Sequence, residues 1–115
     1  MDFIFSKQLN YLVHRVDGEH VAHCLDMDLV GTGNSEEEAI AELNTAVRAF
    51  VFYAIKREVL DIVSLCKRAP NEYWDMFDEA KRTSGTRTRT LDVNPEIAPV
   101  TVKECHFTYC LAVAA

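Results

Sequence analysis

No part of this sequence stays apolar for long. The longest unbroken run is Ala49 to Ile55, far short of the ~20 residues that a membrane-crossing helix needs. The N-terminus carries Lys7 but no apolar run followed by a small-residue cleavage site, so no secretory leader is expected. Cys24, Cys66, Cys105 and Cys110 are scattered, with no Cys-x-x-Cys pair. Lacking an export signal, they are expected to be reduced, mostly buried thiols in a cytoplasmic protein. There is no His-x-x-x-His, and no nucleophile elbow holds Ser6, Ser64 or Ser84. Gly31-Thr32-Gly33 lacks the later glycine of a dinucleotide loop and the lysine of a phosphate loop, so it reads as a turn. No internal repeat is present.

Bases are scarce in the front half. Residues 1–47 hold nine acids against Lys7 and Arg15, a net of −7. Residues 48–115 hold nine acids and ten bases, a net of +1, which together give the −6 of the whole chain. A front this acidic repels a phosphate backbone and steers basic partners toward itself. The plainer use of such charge is solubility. At 115 residues the chain is one domain, large enough to bury about two-thirds of its surface. Its apolar and charged fractions, 49% and 26%, are those of an ordinary globular protein.

The pattern along the chain is strand, turn, strand, loop, helix. Phe3 to Phe5 is a strand end or a loose start. Leu9 to Val16 reads as a strand, and Asp17-Gly18 as a hairpin turn, because both residues tolerate positive φ. Glu19 to Met27 returns, with the register open between Val16–Glu19 and Val16–His20 pairing. Asp28 to Asn34 is a loop, or holds a short third strand around Leu29-Val30. Ser35-Glu36-Glu37-Glu38 then opens a helix as a capping box: the Ser35 hydroxyl accepts from the Glu38 amide, and the Glu38 carboxylate reaches back to the Ser35 amide. The three acids suit the positive end of the helix dipole. Ile40, Leu43, Val47, Phe50, Val51, Ala54 and Ile55 form one apolar stripe of a helix from Glu36 to about Arg57. Glu58 to Lys67 continues as helix or strand. After Pro70, Asn71 is placed to cap a second helix from Glu72 to Arg82 with Tyr73, Trp74, Met76, Phe77 and Ala80 as its apolar set. Residues 83–99, opening on a threonine-rich stretch with Arg87 and Arg89, read as a mobile loop. Val100 to Val113 is a last strand, with Cys105, Phe107, Tyr109 and Leu111 on one face and Glu104, His106 and Thr108 on the other.

Four groups of residues invite chemistry, and each has a plainer reading. His14, His20 and His23 lie near Cys24, Asp26 and Asp28, but zinc needs three or four ligands converging on one point. Neighbouring strand residues face opposite ways, so His23 and Cys24 do not share an ion; satisfied strand histidines are expected, and no metal or cofactor. Asp26 and Asp28 share a face at the strand end and are the residues of a small Mg²⁺-dependent nuclease, if there is one. No third carboxylate joins them from the first strand, so a solvated strand end is expected instead. Cys66 stands beside Lys67 and Arg68, which lowers a thiol pKa, but has no base paired with it in sequence. Arg82, Arg87 and Arg89 suit phosphate, but are few for an acidic protein.

The order of elements over residues 9–57 resembles the HicB antitoxin family of HicA-HicB toxin-antitoxin pairs. The matching pieces are Tyr11-Leu12-Val13, Asp17-Gly18, Val21 to Asp28, Gly31-Thr32-Gly33 and Ser35-Glu36-Glu37-Glu38-Ala39. Asp26-Met27-Asp28-Leu29 stands where that family commonly has a proline. The resemblance implies an α/β fold of the α+β kind, with a small antiparallel sheet, a long helix packed on one face, and a partial ribonuclease H-like architecture. It implies a non-enzymatic role: covering a small basic ribonuclease of the HicA type. Asp26, Asp28, Glu36 and Glu37 are the expected contact residues, four carboxylates within twelve positions and no base nearby. No recognition helix follows Glu72 to Arg82, so nucleic-acid binding is not expected. Open sheet edges predict a homodimer or larger assembly. The alternatives are an oligomerising module without a toxin, or the small nuclease.

Overall fold

Asp17 and Gly18 reverse the chain with φ of 52° and 82°. Positive φ at both central residues matches the right-handed twist of the flanking strands, the geometry of the tightest hairpins. Val16 pairs with Glu19, which settles the register in favour of the two-residue turn. The computed structural model describes residues 3–57, 67–91 and 100–112. Within them, β1 (Phe3–Val16) and β2 (Glu19–Cys24) form the hairpin, and β3 (Leu29–Gly33) adds to β2 after a turn in which Asp28 takes a φ of 54°. Then come α1 (Glu36–Lys56), α2 (Asn71–Ser84), β4 (Arg87–Thr90) and β5 (Val100–Leu111).

The five strands lie in the order β3-β2-β1-β5-β4. β5 runs parallel to β1, from Phe3–Val100 to Val13–Leu111, with a register shift between Phe5 and Ser6. The sheet is therefore mixed, not antiparallel as expected. Adjacent antiparallel strands need only a tight turn, whereas a parallel neighbour needs a long crossover; β5 enters only after both helices, and joins β1 from that distance.

The two faces of the sheet bury two separate cores. On one face Leu9, Tyr11, Val13, Ala22, Cys24, Phe107 and Tyr109 meet Ile40, Leu43, Val47, Val51 and Ala54 of α1. The expected helix stripe thus faces the sheet from Ile40 to Ala54, with Phe50 half-buried at its margin; the Ile55 side chain lies outside what the structure describes. On the other face Leu12, Leu25 and Cys110 meet Ala69 and, from α2, Phe77 and Ala80, with Tyr73 and Trp74 packed beside them. The expectation of helix on one face alone is corrected: alternate residues of β1 and β5 are apolar in both directions near their C-terminal ends, so each face needs a cover.

α1 lies close on β3 because Gly31 and Gly33 have no side chain. A Cβ on Gly31 would sit 2.6 Å from the Ala39 carbonyl oxygen and closer still to the Leu43 amide. On Gly33 it would meet Glu38 Cβ at 2.6 Å. The helix start is capped nearly as expected. The Glu38 amide donates to Ser35 Oγ at 3.1 Å, but the Glu38 carboxylate accepts from the Asn34 amide at 2.7 Å, one residue upstream of the expected partner.

Two further expectations change. Asn71 does not cap α2; Pro70 holds the cap position with no side-chain bond, and Asn71 Oδ1 accepts from Arg68 at 3.1 Å. Thr83 and Ser84 close α2, and Arg87–Thr90 is strand, not loop. β4 has little apolar content of its own; its backbone is held by pairing with β5 from Arg87–Tyr109 to Thr90–His106, and Leu91 anchors its end in the α1 core. The segment from Glu58 to Cys66 and most of the expected loop after Leu91 lie outside the described residues. No helix among the described residues is long and apolar enough to cross a membrane.

Candidate functional site

The acidic front is most concentrated where β3 ends and α1 begins. Three glutamates occupy the first turn of α1 because the dipole there favours them and the cap requires one. Each of the three has a different environment. Glu38 is spent on the cap. Glu37 grips Arg89 of β4 with both oxygens, at 2.9 and 2.8 Å. That hydrogen bond, with the charges of Arg89 and Arg87, holds the Glu37 carboxyl below its ordinary range. Glu36 is exposed and, among the described residues, makes no hydrogen bond or ion pair. One turn on, Glu42 accepts from the Thr32 amide at 3.1 Å and so ties α1 to β3.

Asp26 and Asp28 do not join this patch as free acids. β2 stops at Cys24, so both aspartates sit in the turn and not on a strand face as expected. The Asp26 carboxylate accepts from the Asn10 backbone amide at 2.7 Å and from the Asn10 side-chain amide at 3.3 and 3.4 Å. It fastens the turn to β1. Asp28 Oδ1 lies 2.6 Å from His23 Nε2. The expectation of four carboxylates without a nearby base is therefore corrected. Of Asp26, Asp28, Glu36 and Glu37, only Glu36 is left wholly to solvent; the tertiary pairing of β4 brings Arg89 to Glu37 and the turn brings His23 to Asp28.

The histidines divide between the faces. His14 and His23 project on the α2 side, as their registers with Val21 and Leu12 require, and His20 on the α1 side. His23 is 5% exposed. Tyr73 of α2 packs its ring edge-on to His23, centroids 4.8 Å apart, and lies 6.2 Å from His14. Among the described residues the buried His14 Nε2 meets no hydrogen-bond partner. Among the described residues no three His, Cys, Asp or Glu side chains are grouped to hold a metal ion. Sequence reasoning grouped these histidines as neighbours but missed Tyr73, fifty residues away, because nothing local says which face α2 covers.

Along the outer flank of α2 an open groove of about 640 Å³ runs past Asp75, Met76, Glu79, Ala80 and Thr83 to Ala112 at the end of β5. Its lining is mostly apolar and includes the acids Asp75 and Glu79; Glu79 pairs with Arg82. No protein-family model matches this chain, and comparison with curated proteins and with solved structures finds no match.

Proposed function

We propose that this protein is a binding protein of the HicB antitoxin type, with a partial ribonuclease H-like fold, that neutralises a small basic ribonuclease of the HicA type by direct contact. One observation carries the reading. The residues on which the resemblance rests occupy one continuous unit, β1, the Asp17-Gly18 turn, β2, β3 and the capped start of α1, and α1 rests on Gly31 and Gly33 at the distance only glycine permits. The exposed start of α1 gives this unit a negative surface, in which Glu36 is the open carboxylate. Such a surface raises the rate at which a basic partner arrives. The engagement of Asp26 by Asn10 and of Asp28 by His23 supports a site of contact over one of cleavage.

The test is co-expression with any small basic protein that a neighbouring reading frame encodes. Relief of that protein's toxicity, with a complex that co-purifies, supports the reading. Undiminished toxicity beside folded, abundant antitoxin-like chain overturns it.

A second reading, a module that assembles with copies of itself, is favoured by the two sheet edges. β3 and β4 each pair on one side only among the described strands, and Val30 on β3 is 48% exposed. Unpaired strand edges invite another strand. Light scattering is expected to give at least twice the 13.0 kDa chain mass; a monomer at micromolar concentration removes this reading without touching the first.

A further inference from the structure

We propose that α2 is a pH-sensitive latch, closed over one face of the sheet at neutral pH by Tyr73 seated against His14 and His23, and released when His14 takes up a proton. The proposal goes beyond the antitoxin reading and does not depend on it.

The geometry is that of a contact that tolerates only neutral His14. Among the described residues the buried His14 Nε2 has no hydrogen-bond partner. Protonation makes both ring nitrogens donors and charges the ring, so Nε2 becomes a cationic N–H with nothing to receive it, which is costly for a group withdrawn from water. The groups facing His14 offer no compensation. From β2 comes His23, a second imidazole; from α2 comes Tyr73. Asp28, a carboxylate of this cluster, is engaged by His23 at 2.6 Å. Glu72 and Asp75, on either side of Tyr73 in α2, are exposed. From β5, Ala112 lies beyond the Val13–Leu111 pair and donates its amide to the Val13 carbonyl. Burial first, and the charge of His23 second, push the His14 pKa down.

The sign follows by linkage. A histidine whose folded pKa lies below its unfolded value, about 6.5, does not oppose folding above that pH. Stability falls as pH drops from there through the folded pKa, because the open state binds the proton more tightly. α2 is the element to yield: it holds Tyr73, and the turn before it is tied down by the Ala69 amide on the Leu25 carbonyl at 2.9 Å. Its release would uncover Leu12, Leu25 and Cys110.

Trp74 is the sole tryptophan and stands on α2 beside Phe77, with the Arg68 guanidinium 4.3 Å from its ring centroid. Its emission therefore reports α2. On the full chain taken from pH 7.5 to 5.0, a red shift with a midpoint below 6.5 is expected while far-ultraviolet circular dichroism keeps its strand signal. In His14→Gln the shift should vanish; in His20→Gln, on the opposite face, it should persist. No shift in the unmodified chain, an unchanged midpoint in His14→Gln, or loss of the shift in His20→Gln overturns the proposal. Should His14→Gln fail to fold, NMR titration of the native His14 ring decides: protonation below 6.5, in step with the Trp74 shift, supports the latch, and protonation at or above 6.5 overturns it.

Discussion

Arg89 and Glu37 stand 52 positions apart and meet in a two-pronged ion pair, Nη1 to Oε2 at 2.9 Å and Nη2 to Oε1 at 2.8 Å. The same guanidinium lies 4.8 Å from the centre of the Tyr109 ring. One side chain thereby fastens the edge strand β4 to β5 beneath it and to the start of α1 above.

Arg89→Ala should loosen that edge at little cost to the whole. The pair is open to water, so its worth is at most about 1 kcal/mol. Glu37 has its pKa lowered, chiefly by the hydrogen bond from Arg89. The stability it contributes is present above the ordinary carboxylate pKa and is lost as pH falls through the folded value. NMR titration should show the Glu37 carboxyl rising toward its ordinary range in Arg89→Ala. A Glu37 titration unmoved by the substitution would contradict the bridge.

Charge reversal at the helix start should act unevenly. If a basic toxin is steered here, Glu36→Lys should slow its association several-fold at low salt and less at high salt, since exposed charges are screened over ~8 Å at physiological ionic strength. Glu37→Lys should add a second effect, by freeing Arg89 and placing two cations together. Stopped-flow association at two salt concentrations checks this; rates indifferent to both changes exclude the surface as the steering site.

Glycine at 31 is a packing requirement, and at 18 a backbone one. Gly31→Ala puts a methyl group into α1 backbone, and overpacking of this kind costs about 1–3 kcal/mol or more. Gly18→Ala has open space around it but a φ of 82°, at about 1–2 kcal/mol. In urea denaturation the first should be the worse of the two, because its clash is with helix backbone that cannot move aside.

The helix cap and the helix face can be ranked against each other. Ser35→Ala removes the acceptor of the Glu38 amide and should cost about 1 kcal/mol. Leu43→Ala empties a position that is 0% exposed and should cost about 2–5 kcal/mol. A denaturation series that reverses this order would place Leu43 outside the core.

Features that depend on a few consecutive residues were readable without the fold. The Asp17-Gly18 reversal needs only two residues that accept positive φ. The start of α1 needs only a hydroxyl and a carboxylate at cap spacing, although the carboxylate chose the Asn34 amide over that of Ser35. The stripe from Ile40 to Ala54 is a matter of helical period and is buried except at Phe50, which is half-buried.

Features that depend on a distant neighbour were not. Thr-Arg-Thr-Arg-Thr has no apolar face to mark it as a strand, and β4 exists because β5 offers its edge. Parallel pairing of β5 with β1 and the second helix on the far face are likewise decisions of topology. The candidate site divides along the same line. The glutamates of α1 are placed by local helix chemistry, so the sequence by itself determined where the acidic surface lies. Which of those acids remain open was decided only when the tertiary structure brought Arg89 to Glu37, His23 to Asp28 and Asn10 to Asp26. A charge declares its sign along the chain, but its partner is whatever the folded backbone carries to within about 3 Å, and no spacing in the sequence encodes that distance.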